Sequence, residues 1–586
     1  MAVIAPQGVG FVDKHDLNHK VVTPEDTEVI AGTIVARLRE RSTEVGELRG
    51  LVDALLAASG LTVQSPVDGQ TAALVQQQGS LTAVAIRALM GEHLVGVRAD
   101  AYGVVGDGVT DDTDALHAAA SAAASAGLPL VIPGGYIIGI SSYTRFPAGL
   151  TLMTNGVKFT QLVPMGRAPV VGLGPRSTVV GGLLVDTLGG DACQGVHIAD
   201  APDVTIDHVE VTSAVPGAGR ANVRDNGLRV INSPGLRIGR ARASGYDWAV
   251  WSEQADGLTL GHLEVEDYSL ALRVKDCARV RIHSGHMHGA GPNTGYLPGY
   301  NGVLIESDIP GRADDILFHA VTVEDAGEHG FRVGGQNSVR NVTFSRCLAK
   351  NVGGSGFKTL PGPAGDAGDG VRVTGVVLDH CTVEDAGEIN QNCSGFLIQR
   401  ADDVRITAPS IRKKDKTYSA VEGIRMSGVT DVTVTDAKIK DTKNYAVRLD
   451  EAYGNVSDIR ISGRVQTTTG QGVYLQNPGV QFRDIHVDMY VENATVGGSA
   501  FYAGRATAAE DSGTWAGVNT LRLTISESTP SETSINPNSS VVGLEAFFAD
   551  VIGRRAWIVP FRAGSTWTDT LTNTRQVKRA DDWSVI

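Results

Sequence analysis

The chain has 586 residues (61.4 kDa), more than one compact globular core normally holds, so it either divides into domains or stacks one elongated repeat. Its 71 Gly against 7 Met, with Val, Thr and Ile throughout, indicate many short strands joined by tight turns, an all-β class. A formal charge of -14 with a pI near 5.5 excludes a general nucleic-acid surface.

The amino end has no basic segment followed by a long apolar run, so neither a conventional signal peptide nor a membrane span is expected. After a mixed stretch over 1–18, the sequence reads as helix to about residue 60. Thr23, Pro24, Glu25 and Asp26 start it, and Val29, Ile30, Ile34, Val35, Leu38, Val45, Leu48, Leu51, Val52, Leu55 and Leu56 recur at threes and fours. Such a helix has little core of its own, which suits an oligomer seam or a docking surface. Residues 65–78 are polar and turn-like, and 81–94 read as a shorter helix or connector.

The segment AYGVVGDGVTDDTDAL opens at Ala101. Its Gly106-Asp107-Gly108 turn leads to Thr110 or Asp111 as helix caps, and an alanine-rich helix is predicted to run to about Ala126. Turn and cap roles account for Asp107, Asp111 and Asp112. The run from Leu130 through VIPGG to Ile138 reads as the first strands with a turn between them.

From about 195 to 476 one phrase returns: GVHI, GLRV, AVWS, ALRV, GVLI, GFRV, GFKT, GFLI, GIRM, AVRL and GVYL. A small residue, an apolar one, a variable one and usually another apolar one make the period-2 pattern of a strand with one buried face, repeated as in a solenoid. A second phrase, such as DVTIDHVEV, GLRIGRARA or DVTVTDAKI, alternates with it. Arg229 to Trp251 and Trp251 to Arg273 are each 22 positions, which sets a rung length. Later spacings of 31 (Arg273 to Leu304) and 39 (Lys358 to Leu397) require loops, over 286–300, 361–369 and 384–393.

AYGVVGDGVTDDTDAL, VIPGG and the GVxI and GFRV rungs together resemble the pectate-lyase-like right-handed parallel β-helix proteins, in particular bacteriophage tailspikes and polysaccharide depolymerases. The resemblance covers about 101–494. It implies a right-handed single-stranded parallel β-helix over 96–495, with the first motif as its capping helix. It also implies that 1–95 is a helical attachment segment, that the protein is a homotrimer, and that it joins a phage tail or baseplate protein in the virion or works extracellularly. Residues 496–586, where the rhythm breaks, are expected to form a small β-rich cap or trimer contact.

With the apolar positions of each phrase turned inward, the variable ones stack outward: His197, Arg229, Trp251, Arg273, Leu304, Arg332, Lys358, Leu397, Arg425, Arg448 and Tyr474. Two residues further lie Glu253, Lys275, Glu306, Gln399 and Asp450. Charged and aromatic rows suit an extended sugar chain, with hydroxyls on the charges and ring faces on the aromatics. Trp251, Glu253, Arg273, Arg332, Lys358, Arg425, Arg448 and Tyr474 are the candidate substrate-binding residues.

Glycosidic hydrolysis needs two carboxyl groups about 5 to 9.5 Å apart, a span that neighbouring rungs provide. Candidate pairs are Asp247 and Glu253, Glu306 and Asp308, and Asp325 and Glu328 in VEDAGEHGFRV. That phrase returns with Glu384, Asp385 and Glu388. The preferred catalytic set is Glu328, Asp325, Glu306 and His329, close in sequence to Arg332 and Lys358. β-Elimination is the alternative, with Arg332 or Arg425 and Lys358 supplying base and cation. No calcium-type aspartate cluster is seen, and His283, His286 and His288 lack a further donor, so no metal or cofactor is expected. The five cysteines (Cys193, Cys277, Cys347, Cys381 and Cys393) lack CxxC spacing and are expected to be buried free thiols.

The reading is a tailspike-like protein that binds and depolymerises an extended polysaccharide of a bacterial cell envelope, most directly by hydrolysis. A lyase and a non-enzymatic glycan-binding particle protein are the alternatives. No nucleic acid and no membrane insertion is expected.

Overall fold

A computed structural model describes residues 3–4, 11–12 and 96–585, except 190–192, 216–224, 290–298, 363–370, 388–392, 414–421, 451, 469–470, 477–480, 495–500, 505–513, 527–546, 554–564, 570–573 and 579–582. The chain separates into two units, 1–95 and 96–586. In the first, Val3–Ile4 pairs antiparallel with Phe11–Val12. The expected helices over 21–60 and 81–94 lie outside the described residues, as does Glu388.

The second unit is a right-handed parallel β-helix in which three columns of parallel strands follow one another along the chain. The returning phrase forms one column. Its register is unbroken: Gly172↔His197↔Arg229↔Trp251↔Arg273↔Leu304↔Arg332↔Lys358↔Leu397↔Arg425↔Arg448↔Tyr474. Every outward residue read from the sequence falls on this one row. The apolar neighbours on either side point inward and are fully buried, among them Leu228 and Val230, Phe331 and Val333, and Ile424 and Met426. Burying each such side chain stabilises the coil by roughly 1.5–3 kcal/mol.

Packing explains the small residue that opens the phrase. A Cβ on Gly227 would lie 2.8 Å from the Ala249 carbonyl oxygen of the next rung, and one on Gly356 2.9 Å from that of Gly395. Space is tight there because rungs stack at the spacing of a parallel sheet. From 195 to 472 the position holds glycine or, at 249, 271 and 446, alanine. One inward column carries an aromatic stack: Phe331 and Phe357 lie 4.7 Å apart, Phe357 and Phe396 5.1 Å, the rings of each pair nearly parallel.

Asp and Asn turn many of the corners in left-handed conformation, including Asp325 (φ 58°) and Asp385 (φ 52°). These residue types tolerate φ > 0 better than others. The two VEDAGE phrases are therefore equivalent corners.

At the amino end of this unit, helix α1 (Thr113–Ala126) buries Leu116, Ala119, Ala120 and Ala123 against strands Val97–Arg98, Leu130–Val131 and Thr144–Phe146. The first helical residue is Thr113, one turn position later than the expected caps. The Asp111 carboxylate does accept its N–H, at 3.1 Å. Asp112 is buried and accepts the N–H groups of Val105 (2.7 Å) and Gly106 (3.0 Å), which fixes the preceding loop to the helix start. Asp107 accepts Val109 and Thr110 N–H groups within its turn.

The change of rhythm near 497 is not a break in pairing. Gln481–Ala494 pairs parallel with Asn519–Ser526, that with Phe547–Gly553, and that with Thr566–Asp569. Only then do Thr574–Lys578 and Trp583–Val585 reverse direction and pair antiparallel. All five cysteines are buried free thiols. No helix among the described residues is long and apolar enough to cross a membrane.

Candidate functional site

The outward row is a half-buried surface with three clusters. The first is an aromatic and cationic platform. The Trp248 and Trp251 rings meet at 4.8 Å, and the Trp251 ring lies between the guanidinium groups of Arg229 (5.0 Å) and Arg273 (4.8 Å). Cation–π contact holds these planar groups in one orientation. Arg273 also pairs with Glu306, its Nε donating at 2.6 Å. Beside the platform, Lys275 Nζ lies 3.2 Å from Glu253 and 3.0 Å from Asp308. Sharing that ammonium puts the two carboxylates no more than about 6 Å apart, within reach of one glycosidic bond. Both are accessible, at 21% and 37%. Burial opposes the charge on Lys275, but the two carboxylates outweigh it and hold the ammonium above its ordinary range.

The second cluster is the one singled out from VEDAGEHGFRV. Glu328 and His329 are 3% and 1% exposed. The Glu328 carboxylate accepts the Gly299 N–H at 2.8 Å and lies 3.3 Å from His329 Nε2. His329 Nδ1 accepts the Ser355 N–H at 2.9 Å, so in the neutral ring Nε2 carries the proton. Nε2 faces Lys358 Nζ at 3.1 Å. Burial, reinforced by the Lys358 and Arg332 cations, pushes the imidazole down to about 4. Burial also lowers Lys358, with Arg332 adding to it. For Glu328 burial acts upward, but the His329 contact, the Gly299 N–H and Arg332 prevail and hold the carboxyl well below the usual range.

The third cluster is a buried ion network. Asp450 Oδ2 lies 2.7 Å from Arg425 Nε and 2.9 Å from Arg448 Nε. Arg448 also reaches Glu422 at 3.1 Å, and Glu422 accepts the Ser394 hydroxyl at 2.8 Å. Tyr445 and Tyr474 stack beside it at 4.4 Å.

The sequence-derived catalytic set does not converge. Asp325 turns its corner at the end of a different strand column, accepts the Asn351 amide and stands 3.1 Å from His288 Nε2. His286 likewise faces Glu324, at 3.6 Å. Glu384 pairs with Arg412 on that same column. Glu306 belongs to the platform, whereas Glu328 and His329 stay together. The eight binding candidates all share the outward column, distributed over the three clusters. Sequence reading singled out His329 but missed the polar row it belongs to, the residue just before the small one on most rungs, which also holds Trp248, Asn301, Ser355, Ser394, Glu422 and Tyr445. Its signal was the fixed place beside Gly or Ala. Along the surface, Nε2 of His197, Nε of Arg229, Nε1 of Trp251 and Nε of Arg332 are buried atoms with no hydrogen-bond partner among the described residues.

The chain is thus a parallel β-helix protein with an outward charged and aromatic ladder. No protein-family model matches it, and no curated protein does. Among solved structures it is similar to the Dettilon tailspike protein, at 13% identity and TM-score 0.42 over 65% of this chain and 69% of that one. It is similar to tailspike protein 3 of bacteriophage CBA120 (12%, TM-score 0.36, 84% and 68%). PfbA, a surface adhesin of Streptococcus pneumoniae, is a further one (11%, TM-score 0.35, 84% and 98%). At such values the likenesses assign no activity.

Proposed function

We propose that this chain binds an extended bacterial surface polysaccharide along the outward ladder and depolymerises it by hydrolysis, as a homotrimeric tailspike-like particle protein attached through 1–95. The observation that carries the reading is the Trp248–Trp251–Arg273 platform set directly against the Glu253–Lys275–Asp308 bridge. A sugar ring on the platform brings its glycosidic oxygen toward both carboxyl groups. One protonates the leaving oxygen and the other serves as base or nucleophile; the acid must first exchange Lys275 for the sugar. The unpartnered nitrogens of His197, Arg229, Trp251 and Arg332 are donors for sugar hydroxyls.

A second reading, β-elimination of an acidic polysaccharide, is favoured by the His329 tautomer. An imidazole N–H directed at Lys358 suits an amine acceptor better than an ammonium, which fits Lys358 as base and Arg332 as the cation on the developing carboxylate. Incubation of the purified protein with a panel of host capsule and wall polysaccharides tests both. Oligosaccharides without ultraviolet absorbance support hydrolysis, and absorbing unsaturated ends select elimination. Tight binding with intact polymer refutes both and leaves a glycan-binding particle protein.

A further inference from the structure

A second groove lies on another strand column, away from the ladder. It is a concavity of about 700 Å³ lined by Arg412, Lys438, Lys440, Arg464 and Tyr490, together with Asp436 and Asp488. A register shift between Val434 and Ala437 shapes it. Asp436 adopts φ 55° there, and Gly463 opposite has φ 154°, where a Cβ would lie 2.4 Å from the Ala437 carbonyl oxygen. Bulges of this kind redirect side chains at functional sites.

Charge order on this column marks the groove. Upstream, the row leading to Arg412 alternates in sign, Glu324↔Lys350↔Glu384↔Arg412, and so does Glu210↔Arg242↔Glu264 on the row two residues earlier in each strand. Most of these neighbours form ion pairs, such as Arg242 with Glu210 at 3.1 Å. At the groove the alternation fails. Lys438 lies in register with Arg464, and Lys440 follows Arg412, because Ile411 pairs with Ile439. Arg412 is held by Glu384 and Arg464 by Glu492, both at the edges. Lys438 and Lys440, in the middle and exposed, find no carboxylate within ion-pair distance among the described residues. Like charges on adjacent strands repel. In a chain of formal charge -14, two of the four cations lining the groove, Lys438 and Lys440, are thus left without an ion-pair partner among the described residues.

We infer that this groove is a second glycan site, for an acidic oligosaccharide whose carboxylates sit between Lys438 and Lys440 while a ring lies along Tyr490. The Arg464 guanidinium lies over one face of the Tyr490 ring, 5.0 Å from its centroid, and restrains it. Acidic sugar carboxylates complete the alternation that the protein leaves open. The site is separate from the ladder and does not depend on the reading given for it.

Calorimetry on the full chain tests the inference with galacturonate hexasaccharide, maltohexaose and inorganic phosphate. The acidic hexamer should bind, maltohexaose should not, and phosphate alone should bind at least 10-fold more weakly. Lys438→Ala with Lys440→Ala should weaken the hexamer at least 10-fold without changing Tm or polysaccharide degradation, while Trp251→Ala leaves hexamer binding as it was. Unchanged hexamer binding by the double variant, no hexamer binding at all, or phosphate binding as tight as the hexamer each overturns the proposal. A fall in subunit mass by light scattering in the double variant, with hexamer binding unchanged, overturns it too and identifies the groove as a contact between copies.

Discussion

His329 makes the protein acid-sensitive in a way one substitution removes. Its folded value is depressed to about 4 from 6.5, because the ring is buried beside Lys358 and Arg332. The unfolded chain therefore takes up the proton first. The stability this group contributes is complete above pH 6.5 and is lost as the pH falls through about 4. By pH 4.5 the loss from this one group is on the order of 2–3 kcal/mol. Glutamine reproduces the neutral ring's bonding: its amide oxygen accepts the Ser355 N–H and its amide nitrogen takes the place of Nε2 beside Lys358 and Glu328. His329→Gln is expected to match the wild type at pH 7.5 and to be penalised less at pH 4.5, by on the order of 2–3 kcal/mol. His197, also depressed to about 4 by burial and by Arg229 and Arg145, titrates in both proteins and cancels from the comparison. Urea unfolding followed by tryptophan fluorescence at the two pH values measures the difference. A variant that loses as much stability as the wild type refutes the assigned tautomer and burial argument.

Trp251→Ala removes the face held between Arg229 and Arg273, and should weaken binding of the degraded polysaccharide by about 1–2 kcal/mol, roughly 10-fold, in a titration. Glu253→Gln and Asp308→Asn should each cut oligosaccharide release about 100-fold or more with binding retained, as expected of acid–base groups. Lys358→Met should leave hydrolytic release within a few-fold; loss of all release together with absorbing products in the wild type would select the elimination reading instead. Phe357→Ala opens a cavity inside the three-ring stack and should cost about 3–5 kcal/mol of stability, visible as a lower urea midpoint.

Much of the fold was legible before any coordinates. The small–apolar–variable–apolar phrase defines which side chains face in and which face out, since a strand alternates with period 2 and the close stacking of these rungs keeps the first position small. The outward row from His197 to Tyr474 came out in register because each copy of the phrase is one turn of the coil, whatever loop precedes it. The capping helix α1 and the Asp107 turn were legible for a local reason too: short polar side chains bond backbone amides two or three residues away.

The catalytic grouping was not legible. Asp325 and Glu328 are three residues apart, yet the left-handed corner at Asp325 sends them to different strand columns, one toward His288 and the other toward His329. Conversely Glu253 and Asp308 are 55 positions apart in the chain and share one ammonium, because two rungs bring them to either side of Lys275. Sequence alone determined the column each residue occupies, since alternation and corner chemistry act over a few residues. Only the tertiary structure decided which charges meet, because side chains on one column reach across rungs separated by 22 to 39 positions of chain, and ion pairing follows that stacking rather than proximity in sequence.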